Sequence, residues 1–150
     1  MARRYIVPHP ATLYETTDTD ITIFELAAAS DQHLTIIEAH FTQKDSEVST
    51  MEVMEIVRKS AAGTLTAATE LPLDPGDSAA SFTAGYDASV EGTESGDLAI
   101  EAWNILNGYH YVPTPEARII MEGGDIVAWR IAETLEANIT ILGYVVVEES

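Results

Sequence analysis

Apolar and polar residues alternate along most of this chain with a period near two, and turn-forming residues interrupt the alternation at short intervals. That pattern predicts short strands rather than helices. It is densest in the last third, around which the rest is organised. Three strand segments follow one another there: residues 117–122, 126–132 and 139–149. In the second, Val127, Trp129 and Ile131 alternate with Ile126, Ala128 and Arg130. Gly123-Gly124-Asp125 joins the first two, and adjacent glycines take the positive φ values that a tight hairpin turn requires. The third segment is β-branched, aromatic and apolar on both faces, the character of a strand in the middle of a covered sheet.

Upstream, residues 3–7 form a short apolar segment closed by Pro8-His9-Pro10. Each proline removes a ladder donor, so roughly the first ten residues read as an edge strand or arm. Residues 12–15 give a second short strand and residues 16–20 a turn. Residues 21–28 place Ile21 and Ile23 on one face and Phe24 and Leu26 on the other. After a turn at Ser30-Asp31-Gln32, residues 34–42 set Leu34, Ile36, Glu38 and His40 against Thr35, Ile37, Ala39 and Phe41. Residues 51–59 fit a helical stripe or a strand; the β neighbours and the lack of a helix cap favour the strand. Residues 61–80 read as a long ordered loop, with Pro75-Gly76 suited to a type II turn. A strand at 81–88, a Gly/Glu/Ser loop at 89–97, and strands at 98–106 and 109–112 broken by Asn107-Gly108 complete the count. About eight to ten short strands without a helix indicate an all-β, two-sheet β-sandwich, jelly-roll-like, in a single domain.

Charge narrows the partners. Twenty-five acidic residues face seven basic ones, for a net charge of −18. Phosphate backbones would be repelled, so no nucleic-acid partner is expected. The acidity suits either a salty medium or a basic partner surface. Cysteine is absent, which excludes disulfides and thiolate metal sites. Charges interrupt every apolar run before the ~20 residues a helix needs to cross a bilayer, so no membrane partner is expected. Arg3-Arg4, three apolar residues and Pro8 do not make a signal peptide, which predicts maturation in the cytoplasm.

No residue is chemically poised. His33 and His40 are an odd number of positions apart, which on one strand means opposite faces. His9 and His110 stand alone in sequence, without zinc-ligand spacing. Asp18-Thr19-Asp20 and Asp74-Pro75-Gly76-Asp77 lack the spaced ligands of a calcium loop and read as turns. No serine lies in a nucleophile elbow, and no glycine cluster cradles phosphate. No carboxylate pair stands out for glycoside hydrolysis. The expectation is a non-enzyme without catalytic residue, cofactor or metal. Trp103, Tyr109 and Tyr111 suit a core or interface, or else a sugar-stacking platform in a carbohydrate- or receptor-binding module.

Met1-Ala-Arg-Arg-Tyr, Arg58-Lys-Ser-Ala-Ala-Gly63, Pro72-Leu-Asp-Pro-Gly-Asp77, Ala102-Trp-Asn104 and Tyr144-Val-Val-Val-Glu-Glu149 together resemble small virion proteins encoded near the capsid genes of tailed bacteriophages. The likeness runs in patches over most of the chain, and none of its motifs is catalytic. It implies an all-β structural protein, a decoration (cement) protein of the capsid exterior assembled in the host cytoplasm; a tail or head–tail component is also compatible with it. The partner implied is the major capsid protein or another virion protein. A homo-oligomer, a trimer foremost, is implied with it. Within that reading the partner contacts fall on Arg3, Arg4 and Tyr5 of the N-terminal arm and on Leu71, Leu73, Asp74 and Asp77 of the long loop. The acidic loop at 89–97 is a further contact.

Overall fold

A computed structural model describes residues 1–19 and 21–150; Asp20, which the sequence places in a turn, lies outside the described residues. The chain forms two six-stranded antiparallel sheets packed face to face. The first sheet holds β1 (Arg3–Tyr14), β3 (Leu34–Gln43), β6 (Leu71–Pro72), β9 (Tyr109–Tyr111), β10 (Ile120–Met121) and β12 (Ile139–Glu149). The second holds β2 (Ile21–Ala27), β4 (Met51–Ala61), β5 (Thr64–Ala67), β7 (Thr83–Val90), β8 (Thr93–Asn104) and β11 (Ile126–Ile131). Pairing is nested: β1 with β12, β2 with β11, β3 with β10, β4 with β8. Successive pairs fall in alternate sheets, the wrapped double hairpin of a jelly roll. The expected β-sandwich is therefore the fold, with twelve strands among the described residues where about eight to ten were read.

β12 lies between β1 and β3, the central place its composition demands. Its Ile139, Ile141, Val145 and Val147 enter the core, while Leu142 and Tyr144 on the outer face are half-buried. Across the interface Trp129 of β11 is fully buried, edge-on to Phe24 at 5.9 Å and to Phe41 at 6.1 Å. Such aromatic contacts add directional preference to the area buried.

Several expectations are corrected, three of them by β-bulges. In β2 the register slips at Ile23, so Ile21, Phe24 and Leu26 all face the core. In β3 it slips at Ile37, so Leu34, Ile36, Ala39 and Phe41 point inward and Glu38 and His40 outward. Each bulge inserts one residue and exchanges the two faces beyond it. A third, between His9 and Thr12, lets the strands read at 3–7 and 12–15 run on as the single strand β1. The N-terminal segment is thus a sheet strand and no free arm.

The segment 61–80 is not one long loop, since it contains β5 paired with β7 and β6 paired with β1. The loop expected at 89–97 is a tight hairpin, with β7 ending at Val90 and β8 beginning at Thr93. The strand read at 117–122 shrinks to β10, after a 3-10 turn at Pro115–Ala117. The glycine turn at 123–125 does form, with Gly124 at φ 88°. It leads from β10 in the first sheet to β11 in the second, so it joins two sheets and not a hairpin. Gly76 has no positive φ, so the turn from Asp74 to Asp77 is not type II; it closes through the Asp77 amide on the Asp74 carbonyl at 2.9 Å.

Candidate functional site

Three features outside the shared core carry distinctive chemistry: the corner around β1 and β6, the outer face of the second sheet, and a histidine pair on the outer face of the first.

At the corner, the structure gathers the seven residues that the sequence nominated. β6 pairs with Tyr5 and Ile6, and the Leu73 amide donates to the Arg4 carbonyl at 2.8 Å. Arg4, Leu73, Asp74, Asp77 and Glu148 line an open hollow of about 510 Å³. Leu71 and Leu73 are exposed. Tyr5 is not available to a partner: it is fully buried, packs edge-on to Phe82 at 5.5 Å and donates its hydroxyl to the Ser78 carbonyl. Burial pushes its phenol pKa up. Arg3 pairs with Glu149 at 3.0 Å and Arg4 with Glu148 at 2.9 Å, so both cations are answered within the chain.

On the outer face of the second sheet, the bulge in β2 turns Thr22 and Glu25 outward, beside Lys59 of β4. The Lys59 side chain is 0% exposed. Its Nζ donates to Thr22 Oγ1 at 2.9 Å, Glu25 Oε2 at 3.2 Å and Glu91 Oε2 at 3.4 Å. Two connections roof this cluster and touch backbone to backbone. A Cβ on Gly92 would lie 2.2 Å from the Ala61 carbonyl, and one on Gly63 would lie 2.6 Å from that of Val90. Only glycine permits so close an approach. A buried ammonium facing two carboxylates and a hydroxyl satisfies its three donors, which makes the cluster a structural pin.

Farther along the same face the character inverts. β8 is the edge strand, paired to β4 on one side only. Leu98, Ile100 and Ala102 alternate along it and are exposed, Ile100 at 60%. Ala102 lies opposite Val53, and Met51, two residues before Val53, is also exposed. An aliphatic strip thus runs beside a bare row of backbone donors and acceptors. The charges that β8 carries, Glu94, Asp97 and Glu101, are all acidic.

Trp103 and Tyr109 are buried, 6.2 Å apart and edge-on, and Tyr111 packs against the core from its margin. These three rings do not make a stacking platform. Burial raises the phenol pKa of Tyr109 and Tyr111.

The histidines are partitioned by the bulges. His9 is interior, ringed by Phe41 at 5.9 Å and Tyr86 at 5.3 Å. Its Nδ1 donates to the Pro10 carbonyl at 2.7 Å, and its Nε2 accepts from the Tyr14 hydroxyl at 3.1 Å. Burial holds its pKa below the usual imidazole range. His33 is exposed. His40 and His110, the latter isolated in sequence, are cross-strand partners on β3 and β9. Their Nδ1 atoms are 2.7 Å apart. No signal short of the strand register announces that pair. No cluster of three or more His, Asp or Glu side chains is placed to hold a metal ion among the described residues.

Comparison of the chain with protein-family models, with curated proteins and with solved structures gives no match.

Proposed function

We propose that the protein is a structural component of a virion, a capsid decoration protein that docks on the outer shell and bridges capsid subunits. The observation that carries this reading is the bare β8 edge with its aliphatic strip. A twelve-residue strand unpaired along its outer edge and flanked by exposed aliphatic side chains is a template for strand addition and an aggregation hazard unless something covers it. The acidity of β8 selects the cover: a second β8 would bring carboxylates against carboxylates, whereas a basic extended segment of a capsid protein would complement them. The net charge of −18 keeps an abundant assembly component soluble before it docks. The hollow at the corner, lined by Leu73, with exposed Leu71 on neighbouring β6, is the second contact in this reading, and a trimer is the assembly expected on a symmetry axis.

The test is co-sedimentation of the purified protein with particles that lack it, alongside the Ile100→Asp variant. Saturable binding that the variant loses while keeping its thermal midpoint supports docking through β8. No binding to particles at low or physiological salt, together with absence of the chain from purified virions by mass spectrometry, overturns the reading. Light scattering coupled to size exclusion tests the trimer.

A further inference from the structure

The histidine pair on the outer face of the first sheet has a hydrogen-bond pattern with one unmet demand. His40 Nε2 lies 3.1 Å from Glu38 Oε2, and His110 Nε2 lies 3.2 Å from the Asn107 carbonyl oxygen. Neither acceptor carries a proton to give, so both Nε2 atoms are assigned as donors. In neutral imidazoles that leaves a lone pair on each Nδ1, and the two lone pairs face one another at 2.7 Å. Such an arrangement calls for a shared cation between the rings.

We propose that His40 and His110 form a two-histidine site for a divalent transition metal, bound through both Nδ1 atoms, with the remaining positions taken by water. The outer contacts already match what such ligands need: one Nε2–H held by a carboxylate and the other by a backbone carbonyl, which fixes ring orientation and raises the basicity of the liganding nitrogen. Tyr144, opposite His40 on β12, packs its ring 5.0 Å away and limits how far His40 turns. Bonds of ~2.0–2.1 Å in tetrahedral geometry separate two ligating nitrogens by roughly 3.3 Å, so the rings need part only slightly from 2.7 Å. His110 is exposed and leaves the site open to solvent. Imidazole nitrogen selects zinc, copper or nickel over calcium and magnesium, which the surface carboxylates would hold weakly and without preference.

Calorimetric titration of chelator-treated protein with Zn²⁺ at neutral pH, in excess Ca²⁺ to occupy surface carboxylates, tests the site. One ion per chain is expected, with binding lost in His110→Gln and in His40→Gln. Glu38→Gln should weaken it about tenfold through the altered outer contact. Binding should also disappear in acid, where protons compete for both nitrogens. If the histidine variants bind Zn²⁺ as the unaltered chain does, surface carboxylates hold the ion and the proposal fails. It fails equally if no saturable binding occurs at millimolar Zn²⁺, the pair then sharing a proton only. All three substituted side chains are at or near the surface, and a thermal melt of each variant separates loss of the site from loss of the fold.

Discussion

Two parts of one sheet face reverse the usual placement of charge and hydrocarbon. Over β2, β11 and β4 the outward residues Lys59 and Glu25 are charged and buried beneath two crossing connections. Farther along the face, over β4 and β8, the outward residues Met51, Ile100 and Leu98 are aliphatic and bare. Burial alone would sort them the other way. The buried charges are tolerated because each is paired, and the bare aliphatics fit a surface that a partner completes. One region is covered within the chain and the other is left exposed by it.

The largest effect comes from unpairing the covered region. Lys59→Met leaves Glu25 and Glu91 facing each other under the roof, and about 3–5 kcal/mol of stability should go. Urea denaturation followed by tryptophan fluorescence measures it. Adding Glu25→Leu to that variant should recover part of the loss, because an apolar replacement of a buried pair is far less costly than half a pair. A double variant no better than the single one would show that the cluster has another role.

The roof comes next. Gly92→Ala places a methyl group against the Ala61 carbonyl, with an expected cost of about 1–3 kcal/mol by overpacking. Hydrogen exchange should report the change first at the amides of β5 and the end of β7. The same change at Gly96, where a Cβ meets nothing within 4 Å, is the matched control on bare β8.

The bare region should respond oppositely. Ile100→Asp should change stability by no more than about 0.5 kcal/mol, as for an exposed substitution, while removing particle binding. A large loss of stability instead would mean that β8 is part of the covered region.

The smallest effect tests the interior beneath both regions. Burial depresses the His9 pKa, so the unfolded chain binds more protons than the folded one as pH falls below the ordinary value near 6.5. The contribution of His9 is therefore complete above that pH and lost below it. Thermal midpoints at about pH 7.5 and about pH 5.5 should differ less in His9→Gln than in the unaltered chain.

How much of this was legible follows from the bulges. Period-two reading finds strands wherever alternation persists, which is why β11 and β12 fall where their residues put them. One inserted residue leaves no mark in composition, yet it moves Phe24 and Leu26 into the core and His40 out of it. The Lys59 cluster and the histidine pair both depend on such slips, so neither was visible in the chain read as text. The corner was legible for another reason. Prolines at 8 and 10 and the turn at Asp74-Pro75-Gly76-Asp77 mark a sheet margin locally, and the two segments do meet there. Only the burial of Tyr5 is non-local, set by Phe82 and Ser78.

The short connection after β8 also has a mechanical side. Within a few residues, through buried Ile105, the chain passes from the edge of one sheet to β9 on the other. A pull lengthwise on β8 would load its hydrogen bonds to β4 together and reach the second layer through that covalent link. A pull sideways would open the same bonds one at a time. The molecule should therefore resist sliding forces on that edge far better than peeling ones.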